Sequence, residues 1–137
     1  MTPVRTSSSL EIVVDEHMVD AEAAVRAALA SEGFGVLTEI DVAATLRDKL
    51  GVHHPPLKIL GACNPLFAHR ALELDPAVAL VLPCNVVIEG TGEGRTRVAV
   101  ADPRALIADD EHASPELEAL SDEAATALER AVARLRG

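Results

Sequence analysis

The chain has 137 residues and a formal net charge of -10 at neutral pH, and 49% of its residues are hydrophobic while 1% are aromatic. This length suits one domain, which buries roughly two-thirds of the surface that its unfolded chain exposes. The acidic balance and the lack of Trp and Tyr argue against nucleic-acid binding, which relies on clustered basic residues and aromatic stacking, and against binding to anionic membranes.

The sequence predicts neither a signal peptide nor a membrane span. Residues 1–9 lack an apolar run of about seven residues, and we expect this segment to be disordered. The longest apolar stretch, Ala77–Ile88, is interrupted by Pro83 and Asn85 and is too short to span a bilayer. We therefore expect a cytoplasmic protein without a membrane partner, in which the reducing compartment keeps the two cysteines from forming a disulfide.

Hydrophobic periodicity and capping residues predict the secondary structure. Alternating apolar residues indicate strands, and apolar residues at three- and four-residue steps indicate helices. Pairs of a capping residue and a proline start the later helices, at Asn64–Pro65, Asp102–Pro103 and Ser114–Pro115. The predicted elements are a strand at 10–14, a helix at 18–32, a strand at 34–40, a helix at 42–50, a strand at 57–62, a helix at 65–74, strands at 78–88 and 95–101, a short helical turn from 103, and a long helix from 115 to about 135.

The order of these elements, β-α-β-α-β-α-β-β-α, predicts an α+β fold. We expect a two-layer sandwich with one sheet of about five strands and a long C-terminal helix, as a single domain over residues 10–137. Gly90–Gly94 predicts a hairpin that pairs the last two strands antiparallel. The segment 57–88 resembles a parallel crossover, because it holds a helix between two strands. The apolar stripe of the last helix, expected to dock on the sheet or on a second subunit, consists of Leu117, Leu120, Ala124, Leu128, Ala131 and Leu135.

A cysteine directly before a predicted helix cap is the most informative local feature. Cys63 precedes Asn64 and Pro65, near the positive end of the helix dipole. Helix N-termini lower a cysteine pKa from about 8.5 to roughly 3.5–7.5. The pattern is compatible with a reactive thiolate, a soft-metal ligand or an anion-binding turn. It is equally compatible with a buried, inert thiol, because free cysteine often behaves as a small hydrophobe.

A second thiol lies in the segment Pro83–Asn85. If the strands at 57–62 and 78–88 are parallel neighbours, Cys63 and Cys84 lie at matched carboxyl ends, where open α/β sheets bind ligands. The predicted pocket offers two thiols for a soft metal or a persulfide, with Asn64 and Asn85 as hydrogen-bonding partners. Two thiols fall short of a tetrahedral zinc set, so we assign no metal ligands.

Three histidines are candidates to join this pocket. His53 and His54 are adjacent on an extended segment, so their side chains point to opposite sides and at most one could reach the pocket. A solvated loop is the simpler interpretation for both. His69 lies within two turns of the start of the helix at 65–74 and could approach the same pocket, although an exposed helix histidine is the more ordinary outcome.

Three segments in order resemble one family, the domain-of-unknown-function-302 family of small prokaryotic proteins. They are Gly33–Asp41, Leu57–Pro65 and Leu82–Val87, and the resemblance extends over Leu10–Leu135. It implies a compact α+β fold, often assembled as a homodimer, and no assigned reaction. The chain departs from the family at Leu57, where family members often carry an aromatic residue. The positions to which the resemblance carries a candidate site are Cys63, Asn64, Pro65, Pro83, Cys84 and Asn85.

The leading functional hypothesis is a small binding domain. Its pocket, built from Cys63–Pro65 and Pro83–Asn85, would take a small anion, a sulfur species or a soft metal. One alternative is a thiol-dependent enzyme with Cys63 as nucleophile and His69 or His54 as base. Another is a structural homodimer without a ligand, joined through the last helix. The sequence names no cofactor and does not decide whether a reaction is catalysed.

Overall fold

The computed structural model describes residues 2–108 and 110–135. These residues form one six-stranded sheet in which every neighbouring pair of strands is antiparallel. The elements in chain order are β1 (Val4–Arg5), β2 (Ser9–Val14), α1 (Met18–Ser31), β3 (Gly35–Asp41), α2 (Val42–Leu50), β4 (Leu57–Cys63), α3 (Pro65–Leu74), a 3-10 helix (Pro76–Val81), β5 (Cys84–Gly92), β6 (Arg95–Ala101), α4 (Pro103–Leu106) and α5 (Pro115–Ala133). The strand order across the sheet is β1-β2-β6-β5-β4-β3.

The predicted α+β class is confirmed, with six strands in the described residues where about five were expected. The additional strand, β1, lies in the segment 1–9 that was expected to be disordered. It pairs with β2, and the Arg5 guanidinium donates to Asp102 Oδ2 at 3.1 Å and also to Glu129. These partners lie 97 and 124 residues further along the chain, so the sequence of residues 1–9 alone could not predict the strand.

The prediction of a parallel crossover through α3 is wrong. β4 and β5 pair antiparallel, with Ala62 opposite Cys84. The apolar run predicted as a strand from residue 78 forms the 3-10 helix instead, which Asp75 starts by accepting a hydrogen bond from the Ala77 amide at 3.0 Å. Because α3 and the 3-10 helix return the chain to the end of the sheet that it left, the next strand runs in the opposite direction.

Helices α1 and α5 cover one face of the sheet. Core side chains from β2, β4, β5 and β6 pack against them, and Leu60, Val86, Ile88 and Leu128 are fully buried. The sequence left open whether the apolar stripe of α5 packs against its own chain or against a second subunit. The stripe packs against its own chain. With so few aromatic residues, this core is filled mainly by aliphatic side chains and alanine.

The sheet has a close approach at Gly61, in β4. A Cβ at this position would collide with Thr38 Oγ1 of the neighbouring strand and would lie 2.7 Å from Pro83 Cγ. Pro83 has a rigid ring and Thr38 is β-branched, so neither can move aside easily. Glycine is required here for lack of space, since its φ is not in the left-handed region.

We expect the substitution Gly61→Ala to lower the free energy of unfolding by about 1–3 kcal/mol, because an added methyl group overpacks this contact. Urea denaturation measures the change. Gly35→Ala in β3 is the matched control, since a Cβ there meets no atom within 4 Å. A Gly61→Ala protein as stable as the Gly35→Ala protein would contradict the steric argument.

Candidate functional site

Asn64 fixes the start of α3 and occupies the amides at that end. Its Oδ1 accepts hydrogen bonds from the backbone N–H groups of Leu66 at 3.1 Å and Phe67 at 3.4 Å, and its backbone oxygen accepts from Ala68 at 2.9 Å. Pro65, the first helical residue, has no N–H to offer. The amides that would form an anion-binding turn are therefore already hydrogen-bonded.

The same asparagine ties α3 to Glu32 at the end of α1, and Glu32 in turn binds arginines at the end of α5. Asn64 Nδ2 donates to the Glu32 backbone oxygen at 3.2 Å. The Glu32 carboxylate accepts from Arg130 Nε at 2.9 Å and from Arg134 Nη2 at 3.1 Å. The predicted cap is thus correct, but both ends of the Asn64 amide have structural partners, which leaves it little capacity for a ligand.

Next to this helix start lies a cavity of about 80 Å³ with uncharged walls. It is bounded by the end of the sheet, α3, the 3-10 helix, α4 and α5, and both cysteines border it. Asn64 and Ser121 are its polar neighbours besides the thiols, and none of the described residues that line it is charged. Its larger apolar side chains are Phe34, Phe67, Leu82, Leu106, Ile107, Leu117 and Leu120.

The antiparallel register brings the two cysteines together. Cys63 is the last residue of β4, and Cys84, the first of β5, lies opposite Ala62. The expected proximity thus results from the end of one strand meeting the beginning of the next, and not from two carboxyl ends. Both cysteines are free thiols of intermediate burial.

The Cys84 thiol is held in its neutral form. Burial, and to a smaller extent the neighbouring Cys63, raise the pKa of Cys84 to about 11. Transferring a thiolate from water into apolar surroundings costs free energy, and a second thiolate nearby would repel it. Cys84 is therefore protonated at neutral pH.

The other candidate residues lie around this cavity without lining it. Pro65 and Asn85 are exposed, and Asn85 is on β5 opposite Gly61. Pro83 packs close to Gly61 on the neighbouring strand. Of the six candidate positions, the structure brings Cys63, Asn64 and Cys84 to the cavity wall.

The histidines considered as bases lie elsewhere. His69 Nε2 is 3.0 Å from Glu73 Oε1 on the exposed side of α3. His53 and His54 border a separate open cleft formed by α1, α2 and the start of β4, where His54 Nδ1 is 2.7 Å from the Pro55 oxygen. Over residues 2–108 and 110–135, no group of three or more His, Cys, Asp and Glu side chains could hold a metal ion.

The outer wall of the cavity comes from α4 and α5 and was not predicted from the sequence. Pro103, Leu106, Leu117 and Leu120 all line it, some forty or more residues beyond Cys63 in the chain. The apolar stripe of α5 was visible in the sequence, but nothing in the pattern connected it with the cysteines.

Among the helices of the described residues, none combines the length and apolar character needed to cross a membrane.

Comparison with known proteins identifies the family. The crystal structure of an uncharacterized conserved DUF302 protein from Bacillus stearothermophilus matches this chain with a TM-score of 0.83 and 28% sequence identity, over 92% of this chain and 96% of that chain. No curated protein matches the chain. The family model described as "Domain of unknown function DUF302" matches residues 10–135. The chain therefore belongs to the DUF302 family.

Proposed function

We propose that this protein is a binding domain for a small, uncharged sulfur compound, held in the cavity beside Cys63, Asn64 and Cys84. The observation that carries the proposal is the presence of two free thiols on one cavity with uncharged, largely apolar walls. Of the three ligand classes that the sequence suggested, the geometry favours the sulfur species over the anion and the soft metal.

An anion has little to bind it in this cavity. The described lining carries no cationic side chain, and the amides of Leu66, Phe67 and Ala68 are hydrogen-bonded to Asn64. Moving a charged group from water into such an enclosure without a partner costs several kcal/mol or more. An uncharged ligand avoids this cost.

A soft metal ion is also less favoured. Thiols bind metal ions as thiolates, and the raised pKa of Cys84 opposes deprotonation. The two cysteines would need further ligands to complete a coordination shell, and the nearest polar side chains, Asn64 and Ser121, are poor partners for a soft ion.

A sulfur compound suits the size and the chemistry of the cavity. An apolar cavity of about 150 Å³ can hold one benzene molecule, so about 80 Å³ suits a smaller molecule of the size of methanethiol. Sulfur is polarisable and makes favourable contacts with aromatic rings, worth about 0.3–1.5 kcal/mol. Phe34 and Phe67, whose ring centroids lie 6.2 Å apart, both border the cavity.

The alternative of a thiol-dependent enzyme with a histidine base has less support. His69 is paired with Glu73 on an exposed helix face, and His54 borders a different cleft. A nucleophile and its base must come within hydrogen-bond reach, and neither histidine lines the cavity that Cys63 borders.

The homodimer implied by the family resemblance remains a proposal, and α5 is a poor candidate for its interface. Leu120 and Leu128 are 4% and 0% exposed within one chain, so charging them would disrupt the protomer itself. The edge strand β3 is a better candidate, since an edge strand can pair with another chain and since Leu37 and Ile40 are 66% and 50% exposed.

We expect reduced protein to bind methanethiol and the cavity-filling variant Ala124→Leu to bind it at least tenfold more weakly. Ala124 lines the cavity, so a larger side chain occupies the ligand's volume. Chemical-shift changes in a methanethiol titration measure the affinity. Ala27→Leu, the same substitution at an exposed position of α1, is the control and should bind like the unmodified protein. Absence of binding to unmodified protein, or equal binding by Ala124→Leu, would refute the proposal.

The protonation of Cys84 predicts a pH dependence of stability. Because its folded pKa of about 11 exceeds the ordinary value of 9.0, the folded state retains a proton that the unfolded state loses between about pH 9 and 11. This contribution to the stability of the folded state is complete below about pH 9 and is lost as the pH rises through about 11.

Between about pH 8 and 11, we expect the free energy of unfolding to fall by about 2 kcal/mol more than in Cys84→Ala. Denaturant titrations at each pH measure it. Cys63→Ala should retain most of the effect, and parallel curves for unmodified protein and Cys84→Ala would exclude it.

If β3 forms the dimer interface, Ile40→Lys should lower the mass measured by light scattering from that of a dimer to that of a monomer. The reason is that the substitution replaces an apolar side chain of the interface by a charge in both subunits, and burying an unpaired charge is costly. Leu80→Lys, at a position that is 88% exposed on the 3-10 helix, is the control and should leave the mass unchanged. A dimer that survives Ile40→Lys would place the interface elsewhere.

A further inference from the structure

We propose that Cys63 and Cys84 act as a dithiol pair that reduces small disulfides, closing into an intramolecular disulfide as they do so. The inference rests on the proposed site, since it concerns the same cavity, and it adds a reaction and a substrate class to it. Three observations on the two cysteines carry it: their register, their burial and their shared cavity.

The register sets the distance between the two cysteines. Cys84 lies opposite Ala62, and Cys63 is one residue further along β4. Opposite residues of an antiparallel pair have Cα atoms about 4.5–5.5 Å apart, and one residue along a strand adds about 3.4 Å. The Cα separation of Cys63 and Cys84 is therefore on the order of 6 Å, within the range of about 4.4–6.8 Å that disulfides span.

The side chains must also reach each other. In a regular strand, Cys63 would point to the face opposite Ala62, away from Cys84. Cys63 is, however, the last residue of β4, where the chain turns into α3, and both cysteines border the same cavity. Closing the disulfide thus requires Cys63 to turn toward Cys84 at the end of β4, where Cys63 is paired with Gly35 of β3 and the register of β4 with β5 has ended at Ala62.

This thiol–disulfide exchange needs no reactant besides the two cysteines, the small disulfide and water. Cys63 as thiolate attacks one sulfur of a disulfide R–S–S–R, forms a mixed disulfide and releases one thiolate RS⁻. Cys84 gives its proton to the released thiolate and attacks the Cys63 sulfur, which forms the Cys63–Cys84 disulfide and releases the second thiolate, protonated by water. In sum, two cysteine thiols are oxidised by two electrons, and one disulfide is reduced to two thiols. The thiol products are the class of molecule that the cavity suits.

The two cysteines should have separate roles in this sequence. Burial keeps Cys84 protonated, so it is a poor first nucleophile. Once the mixed disulfide forms beside it, attack becomes intramolecular, and proximity compensates for the small fraction of thiolate. Cys63 is therefore the attacking residue and Cys84 the resolving residue.

Incubation of reduced protein with bis(2-hydroxyethyl) disulfide at about pH 8 tests the inference by intact mass. We expect a monomer that is lighter by two hydrogen atoms, with Cys63 linked to Cys84 in the peptide map. Cys84→Ser should stop at a mixed disulfide on Cys63. Cys63→Ser should react at least tenfold more slowly than Cys84→Ser.

Two results would overturn the inference: stable mixed disulfides without a crosslink in the unmodified protein, or no reaction while the urea-unfolded chain reacts. The methanethiol titration is independent of this outcome. Binding without crosslinking would remove the exchange reaction alone, and crosslinking without binding would remove the proposed ligand alone.

Discussion

The antiparallel pairing of β4 with β5 is the constraint on which the candidate site depends. It sets Ala62 opposite Cys84 and so places the end of one strand beside the beginning of the next. The close approach at Gly61, where Thr38 and Pro83 leave no room for a side chain, holds β3 and the start of β5 against the same part of β4. The two thiols owe their proximity to this packing, and a parallel arrangement would have required a different route for the intervening chain.

Burial then decides which chemistry the cavity favours. Uncharged walls penalise ions, and the capping bonds of Asn64 use the amides that could have compensated. The same apolar setting raises the pKa of Cys84 to about 11 and so keeps this thiol neutral at ordinary pH.

The features that the sequence predicts correctly are local. Asn64, Asp102 and Ser114 cap their helices as expected, because a capping side chain reaches only two or three residues ahead. The errors concern segments whose conformation depends on distant partners. The run Pro76–Val81 is apolar enough for a buried strand, and periodicity alone cannot distinguish such a strand from a short buried helix. β1 is held by Asp102 and Glu129, which no reading of residues 1–9 could supply.

The candidate site likewise combines a local part that the sequence predicts with a part that depends on residues distant in the chain. Its inner half includes Cys63 and Asn64, which the sequence showed as a thiol followed by a helix cap, whereas its outer half arrives with Leu117, Leu120 and Ser121 of α5. The outer half changes the chemical conclusion, because without it the start of α3 would face solvent and could favour an anion. With α5 in place, this end of α3 faces uncharged side chains, and its amides are hydrogen-bonded to Asn64, so the cavity offers little to bind an anion. A helix start beside a cysteine therefore indicates different chemistry according to what covers it, and only the tertiary fold supplies that cover.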